Sequence, residues 1–225
     1  MKVYLRVMIL AVLACFLTLT IISAVLVKTA KHTNKLTVVI DAGHGGIDGG
    51  ASGISTGVRE SDINLLISKE LKKLFEKAGV SVIMTRNNDD GLYGTTDKGF
   101  KLRDLNERVK IINNSNANLL ISIHLNTYVS PVRRGAQVFY EKGDEQSKIF
   151  AKRVQSRING MRLSPRLYDA LSGDYYLLNQ TKIPSIIVEC GFLSNPDDEK
   201  LLISQEYRES IAMAIFNGSM DKLAL

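Results

Sequence analysis

The sequence predicts an α/β fold: a twisted, mixed and largely parallel sheet flanked by helices, forming one domain behind an N-terminal membrane helix. Three observations carry this. Short β-branched apolar runs alternate with segments of helical periodicity along most of the chain. A chain of 225 residues, 45% of them hydrophobic, can bury one full core and would crowd two. Residues 7–27 contain no charge, and about 20 apolar residues suffice to cross a hydrocarbon core of roughly 30 Å.

Taken in order, residues 1–6 form a short N-terminus, expected on the cytoplasmic side. Residues 7–27 then read as a transmembrane anchor or uncleaved signal. A cleaved signal has a shorter apolar core followed by small residues, and the KTA at 28–30 fits such a cut poorly. Residues 28–35 (KTAKHTNK) are polar, lack apolar periodicity and read as a linker. The folded domain, 36–225, starts with a strand at 36–40. A helix at 61–78 follows, with Ile63, Ile67, Leu71, Leu74 and Phe75 on one face and Gly79 as its stop. Next come a strand at 80–84, a helix at 102–112, and strands at 119–123 and 136–140. A helix at 145–161, a strand at 185–188 and a C-terminal helix at 205–223 complete the pattern. The glycine-rich stretch 87–102 is longer than the usual connection of about 4–6 residues, which marks a functional loop.

The formal charge of +6 comes mostly from Lys2, Arg6, Lys28, Lys31 and Lys35 around the apolar run; without them 24 basic residues face 23 acidic ones. This excess belongs beside a membrane and argues against nucleic-acid binding. Charges flanking the run on both sides leave its orientation open. The two cysteines, Cys15 in the run and Cys190 in a distant apolar segment, offer no disulfide framework.

Two histidines fall in the domain, His44 in VVIDAGHGG and His124 in LLISIHLN, each just past the end of an expected strand. Ligands of open α/β sheets bind at the carboxyl ends of the strands, so the two imidazoles can converge there. The run PSIIVECGF delivers Glu189 to the same edge. Two histidines and a carboxylate are the inventory of a catalytic zinc site, which also needs a carboxylate to take the proton of water. Asp41, Asp48, Glu60, Asp62 and Glu189 are the candidates. Glu60 and Asp62, at the start of a helix, read equally well as partners of its dipole, and Asp41 as a carboxylate closing its strand. Glu189 follows four apolar residues, and a buried charge there requires a metal, a partner or a raised pKa. The glycines around His44 allow close backbone approach and positive φ.

At these residues the sequence resembles the zinc-dependent N-acetylmuramoyl-L-alanine amidases. The matching motifs are IDAGHGGIDGGASG at 40–53, Arg59-Glu60 ahead of Asn64, SIHLN at 122–126 and VECGFLSNPDD at 188–198. The resemblance implies that His44, Glu60 and His124 hold one Zn2+, that Glu189 is the general base, and that peptidoglycan is the substrate. It leaves Asp41 as a carboxylate that could orient an imidazole and Asn126 as a substrate contact, both suggested by position alone. Within the family, the apolar N-terminus, the TRNNDDGLYG loop at 85–94 and the LRDLNERVKIIN helix look most like the germination-specific amidases of spore formers. That implies work on the spore cortex leading to muramic δ-lactam, and a domain outside the cytoplasm: anchored by 7–27, in the forespore intermembrane space, or secreted if the segment is cleaved. Self-inhibiting relatives carry an inserted helix; no comparable insertion stands here, so control falls to other means, such as an activating partner protein. Two rivals stand beside this reading: a cysteine amidase using Cys190 with His124 as base, and a catalytically silent wall-binding module.

Overall fold

The computed structural model describes residues 36–224, together with Tyr4, Met8 and residues 14–18. The chain divides into two units, Met1–Lys35 and Leu36–Leu225. Residues 14–18 are helical and exposed. The rest of the expected span at 7–27, and the linker at 28–35, lie outside the described residues. Among the described residues no helix is long and apolar enough to cross a membrane.

The domain contains a six-stranded sheet of order β2-β1-β3-β6-β4-β5. Its strands are β1 (Thr37–Ala42), β2 (Ser81–Met84), β3 (Leu119–Asn126), β4 (Gln137–Glu141), β5 (Leu171–Gly173) and β6 (Ser185–Phe192). All neighbours pair in parallel except β4 against β6, which confirms a mixed and largely parallel sheet. The helices are α1 (Glu60–Lys77), α2 (Phe100–Asn113), α3 (Glu145–Asn159), α4 (Tyr176–Asn179), α5 (Pro196–Ile203) and α6 (Gln205–Leu223). Gly79 ends the first helix as expected, with φ of 80°.

Alternation along each strand sorts the side chains between two faces. Val38, Ile40, Ile121, Ile123, Ile186 and Val188 point to one face and form the main core with α1, α3 and α6. Val39 and Leu120 point to the other, where they meet Ile112 of α2 and Leu177 of α4 in a smaller cluster. His124 and Glu189 share the parity of this second face. Both lie inside their strands, because β3 and β6 continue to Asn126 and Phe192, beyond the ends expected at 123 and 188. The apolar runs stop there, but the backbone ladder continues through polar residues, so periodicity alone ended the strands early.

Three elements were not anticipated. β5 and α4 have three and four residues, too few for a periodic signal. α5 follows Asn195, whose side chain accepts from the N–H groups of Asp197 and Asp198, with Pro196 in its first turn.

Candidate metal centre

The site begins where β1 ends. His44 stands two residues beyond the strand with φ of 61°, in a left-handed region uncommon for a residue with a β-carbon. Two buried guanidinium groups hold this turn by its carbonyl oxygens. Arg86 donates from Nε to Ala42 O at 2.8 Å and from Nη2 to Gly43 O at 3.1 Å. Arg108 donates from Nη1 to Ala42 O at 2.8 Å and from Nη2 to His44 O at 2.7 Å. Such charge-assisted bonds offset the backbone strain and fix where the imidazole points. Gly43 is required for a different reason: a β-carbon there would lie 2.3 Å from ring atoms of His124. Its absence lets the two imidazoles approach edge to face, with ring centroids 5.0 Å apart.

Glu60, the first residue of α1, is 4% exposed. Its Oε1 lies 3.0 Å from His124 Nδ1 and 3.2 Å from His44 Nε2, and accepts from Leu125 N at 3.0 Å. Its Oε2 accepts from Ala51 N at 2.9 Å, against Gly50, where a β-carbon would come within 2.5 Å. The carboxylate thus faces the imidazoles rather than the amides of its own helix. Asp62 turns away to pair with Arg59 at the surface, at 2.8 Å. His44, Glu60 and His124 together offer donor atoms within 4.8 Å of one another. Two imidazole nitrogens and a carboxylate oxygen match the ligand chemistry of a catalytic zinc site.

Electrostatics agree with that fit. Burial disfavours a charged His44, but the hydrogen bonds and charges of Glu60 and Asp48 outweigh it and raise the imidazole to about 9. His124 is raised as well: burial opposes the charge, while Glu60 and then Glu189 favour it. Glu60 is held far below the usual carboxylate range, the two imidazoles overcoming its burial. The pocket therefore stabilises positive charge at the point where these side chains meet, which suits a divalent cation. Glu189 pairs in register with His124 on the adjacent strand and is 8% exposed. Burial pushes its carboxyl up to about 7, with His124 pulling it down and Glu60 pushing it up. Its Oε2 is buried without a hydrogen-bond partner among the described residues.

Residues 38–220 match the family model described as N-acetylmuramoyl-L-alanine amidase. The chain belongs to this amidase family. It is 37% identical over 185 residues to the germination-specific N-acetylmuramoyl-L-alanine amidase of Bacillus subtilis, covering 80% of this chain and 77% of that one. The CwlD amidase from Clostridioides difficile, solved in complex with the GerS lipoprotein, superimposes with a TM-score of 0.79 at 40% identity. That match covers 84% of this chain and 99% of the other. A second amidase, from Clostridium difficile 630, gives a TM-score of 0.76 at 32% identity, covering 85% and 98%.

The amidase site opens into a cleft of about 250 Å³, lined by both imidazoles, Asp48, Arg108, Tyr175 and Tyr176 among others. Burial and the charge of Glu189 push the Tyr175 phenol up to about 12, so it is a neutral donor facing the cleft. Asp41 does not orient an imidazole. It faces the same side of the sheet as His124, but its carboxylate accepts from Arg108, Thr85 and Ser122 at 2.6–2.7 Å. The carboxylate that orients an imidazole is Asp48, whose Oδ2 accepts from His44 Nδ1 at 2.9 Å. The sequence signal was its place four residues after His44 in the glycine-rich turn. Asn126 is half-buried at the end of β3, its Oδ1 accepting from Thr127 N at 2.8 Å, and among the described residues no hydrogen bond joins it to His44, Glu60 or His124. Cys190 is fully buried in the main core, on the face opposite Glu189. Burial, with the charges of Glu189 and Glu60, raises its thiol well above the ordinary value. A thiol that is neither ionised nor in the cleft cannot serve as nucleophile, which removes the cysteine rival.

Proposed function

We propose that this amidase is a zinc enzyme that releases stem peptides from peptidoglycan by hydrolysing the bond between N-acetylmuramic acid and L-alanine, and that it acts on the spore cortex. The observation that carries the chemistry is the convergence of His44, Glu60 and His124 beside a buried carboxylate oxygen of Glu189 that has no hydrogen-bond partner among the described residues. His44, Glu60 and His124 would hold the ion, with Asp48 fixing the His44 tautomer from behind. When bound, zinc supplies a Lewis acid for the scissile carbonyl and lowers the pKa of water. Glu189 takes the proton of the attacking water on a carboxylate oxygen and returns it to the departing alanine nitrogen. A carboxyl near pH 7 is suited to both transfers. Tyr175 can donate a hydrogen bond into the same cleft, and Asn126 can contact substrate at the end of β3.

The cortex role, leading to muramic δ-lactam and germination, draws support from the germination-specific relative and from the loop and helix motifs at 85–94 and 102–113. The uncharged run at 7–27 supports an anchor that places the domain outside the cytoplasm, where the substrate lies. The relative solved with the GerS lipoprotein supports control by a partner protein here as well. The test is to incubate the full chain with muropeptides and follow free stem peptide by mass spectrometry, before chelation, after it, and after zinc is restored. Release that stops on chelation and returns with zinc is expected; release that survives complete metal removal would sink the zinc mechanism. If no stem peptide appears under any condition, the silent wall-binding module is the better reading.

A further inference from the structure

A second cleft lies on the same rim of the sheet as the metal centre. β4 runs antiparallel to β6 with Gln137 opposite Glu189, and β3 places His124 opposite Glu189 on its other side. Residues opposite one another in a sheet point to the same face, so His124, Glu189 and Gln137 form one row. The row continues to the segment just ahead of β5, where Gln137 Nε2 donates to Asp169 O at 3.1 Å. Gln137 and Asp169 form a wall of this cleft, with Arg133, Arg166, Tyr168 and Leu171 around them. Adjacent strands are about 4.8 Å apart, which puts the cleft roughly 5–10 Å from Glu189, the reach of two or three extended residues.

Its two arginines are built for an anion. The Arg133 guanidinium lies 4.0 Å from the Tyr128 ring centroid, and that of Arg166 lies 5.3 Å from the Tyr168 centroid. Stacking occupies a guanidinium's face and leaves its N–H edge free for a planar, bidentate acceptor. Neither forms an ion pair among the described residues, whereas the neighbouring Arg134 is committed to Asp197 at 2.9 Å. Asp169, the acid of this wall, pairs with neither, so the cleft is net positive. Gly135 has φ of 96°, and a β-carbon there would come 3.3 Å from Arg166 and Tyr168. Tyr168 donates its phenol to Arg134 O at 3.0 Å. The loop at 127–135 and the segment carrying Arg166 are thus locked together rather than independently exposed.

We propose that the Arg133–Arg166 cleft binds a carboxylate of the peptide being released, two or three residues beyond the scissile amide, and so selects acidic stem peptides. This rests on the reading of the His44–Glu60–His124 centre and Glu189 as the point of cleavage. A guanidinium pair matches a carboxylate by charge and by fork geometry, while neutral sugar hydroxyls would require neither. The strongly exposed Val129 and Val132 of the same loop suggest a rival, insertion into a lipid surface. The concavity of the cleft and its place in the Glu189 row favour the peptide.

The experiment compares the zinc-loaded full chain with the double variant Arg133→Gln/Arg166→Gln and with Arg166→Lys. Each is given a disaccharide tetrapeptide with free stem carboxylates and the same compound with those carboxylates amidated. Both arginines are at the surface, and circular dichroism checks that the variants fold. The wild type should prefer the free acid by roughly tenfold or more in kcat/KM. The double variant should lose that preference through a rise in KM with kcat retained, and Arg166→Lys should keep part of it. Calorimetry with the free tetrapeptide should show the same loss of binding. Equal wild-type rates on both substrates, or an equal fall on both in the double variant, would overturn the proposal while leaving the amidase reading intact. Cleavage of neither by the wild type would bring down both. Peptide preference unchanged in the double variant, with loss of sedimentation on phosphatidylglycerol vesicles, would assign the arginines to a membrane and overturn it too.

Discussion

Two clusters of buried charge flank the exit of β1, and they are built on opposite terms. Around Asp41 both carboxylate oxygens are paired. Its Oδ1 accepts from Thr85 at 2.7 Å and from Arg108 at 2.6 Å, and its Oδ2 accepts from Ser122 at 2.6 Å. Despite full burial the carboxyl is held at about 2, chiefly by Arg108, whose other donors reach Asp104 and the carbonyls of the turn. Around Glu60 the sum is left incomplete. Two imidazoles are pushed toward protonation, and Glu189 keeps a buried oxygen without a hydrogen-bond partner among the described residues. A saturated ionic network rigidifies, whereas an unsaturated one stores affinity for whatever completes it. The first cluster is therefore frame and the second chemistry, although both sit at the same strand ends.

Separating these roles by mutation is the sharpest use of the contrast. Glu189→Gln, isosteric and without charge, should lower turnover by roughly a thousandfold. Zinc content and melting temperature should be little changed, as read by metal analysis and calorimetry. Turnover within a few-fold of wild type would remove Glu189 as base. Arg108→Met should do the reverse, leaving Asp41 and Asp104 buried and unpaired at a stability cost of about 3–5 kcal/mol. That is a large part of the ~5–15 kcal/mol typical of a domain. The urea midpoint should drop sharply; because Arg108 also holds the His44 carbonyl, activity of the folded fraction should fall too, though by less than in Glu189→Gln. An unchanged midpoint would show that the network is not frame. The smallest effect is expected where the clusters adjoin: Asp48→Asn should weaken zinc binding by about 10- to 100-fold with stability nearly unaltered. Zinc titration against a chelator measures this directly, and wild-type affinity would separate Asp48 from the centre.

The same contrast explains what the sequence made legible. His44, His124 and Glu189 stand out because polar residues ending apolar β runs are conspicuous and the carboxyl edge of a parallel sheet is where ligands gather. Glu60 did not stand out in this way, since a first-turn glutamate looks the same whether it meets a helix dipole or a metal; only the resemblance and then the fold separated the two. Position alone suggests an imidazole as a partner for Asp41, because position shows which edge a side chain reaches and not which neighbour it meets. Arg86 and Arg108 were invisible for a related reason. An arginine in an amphipathic helix or at a strand end normally reads as solvated, and only tertiary pairing with Asp41 and the turn carbonyls places these two inside. The Arg133–Arg166 cleft joins segments more than 30 positions apart, beyond what local patterning can connect.

The register of β6 has one further consequence. Glu189 shares the face of His124 and Cys190 faces the core solely because residues of a strand alternate between faces. Deleting one codon within β6 ahead of them would exchange their faces, burying the carboxylate in the apolar core and turning a thiol toward His124. Length variation in such a gene is thus tolerable in the loops between elements and lethal to catalysis within this strand, even with His44, Glu60 and His124 all kept.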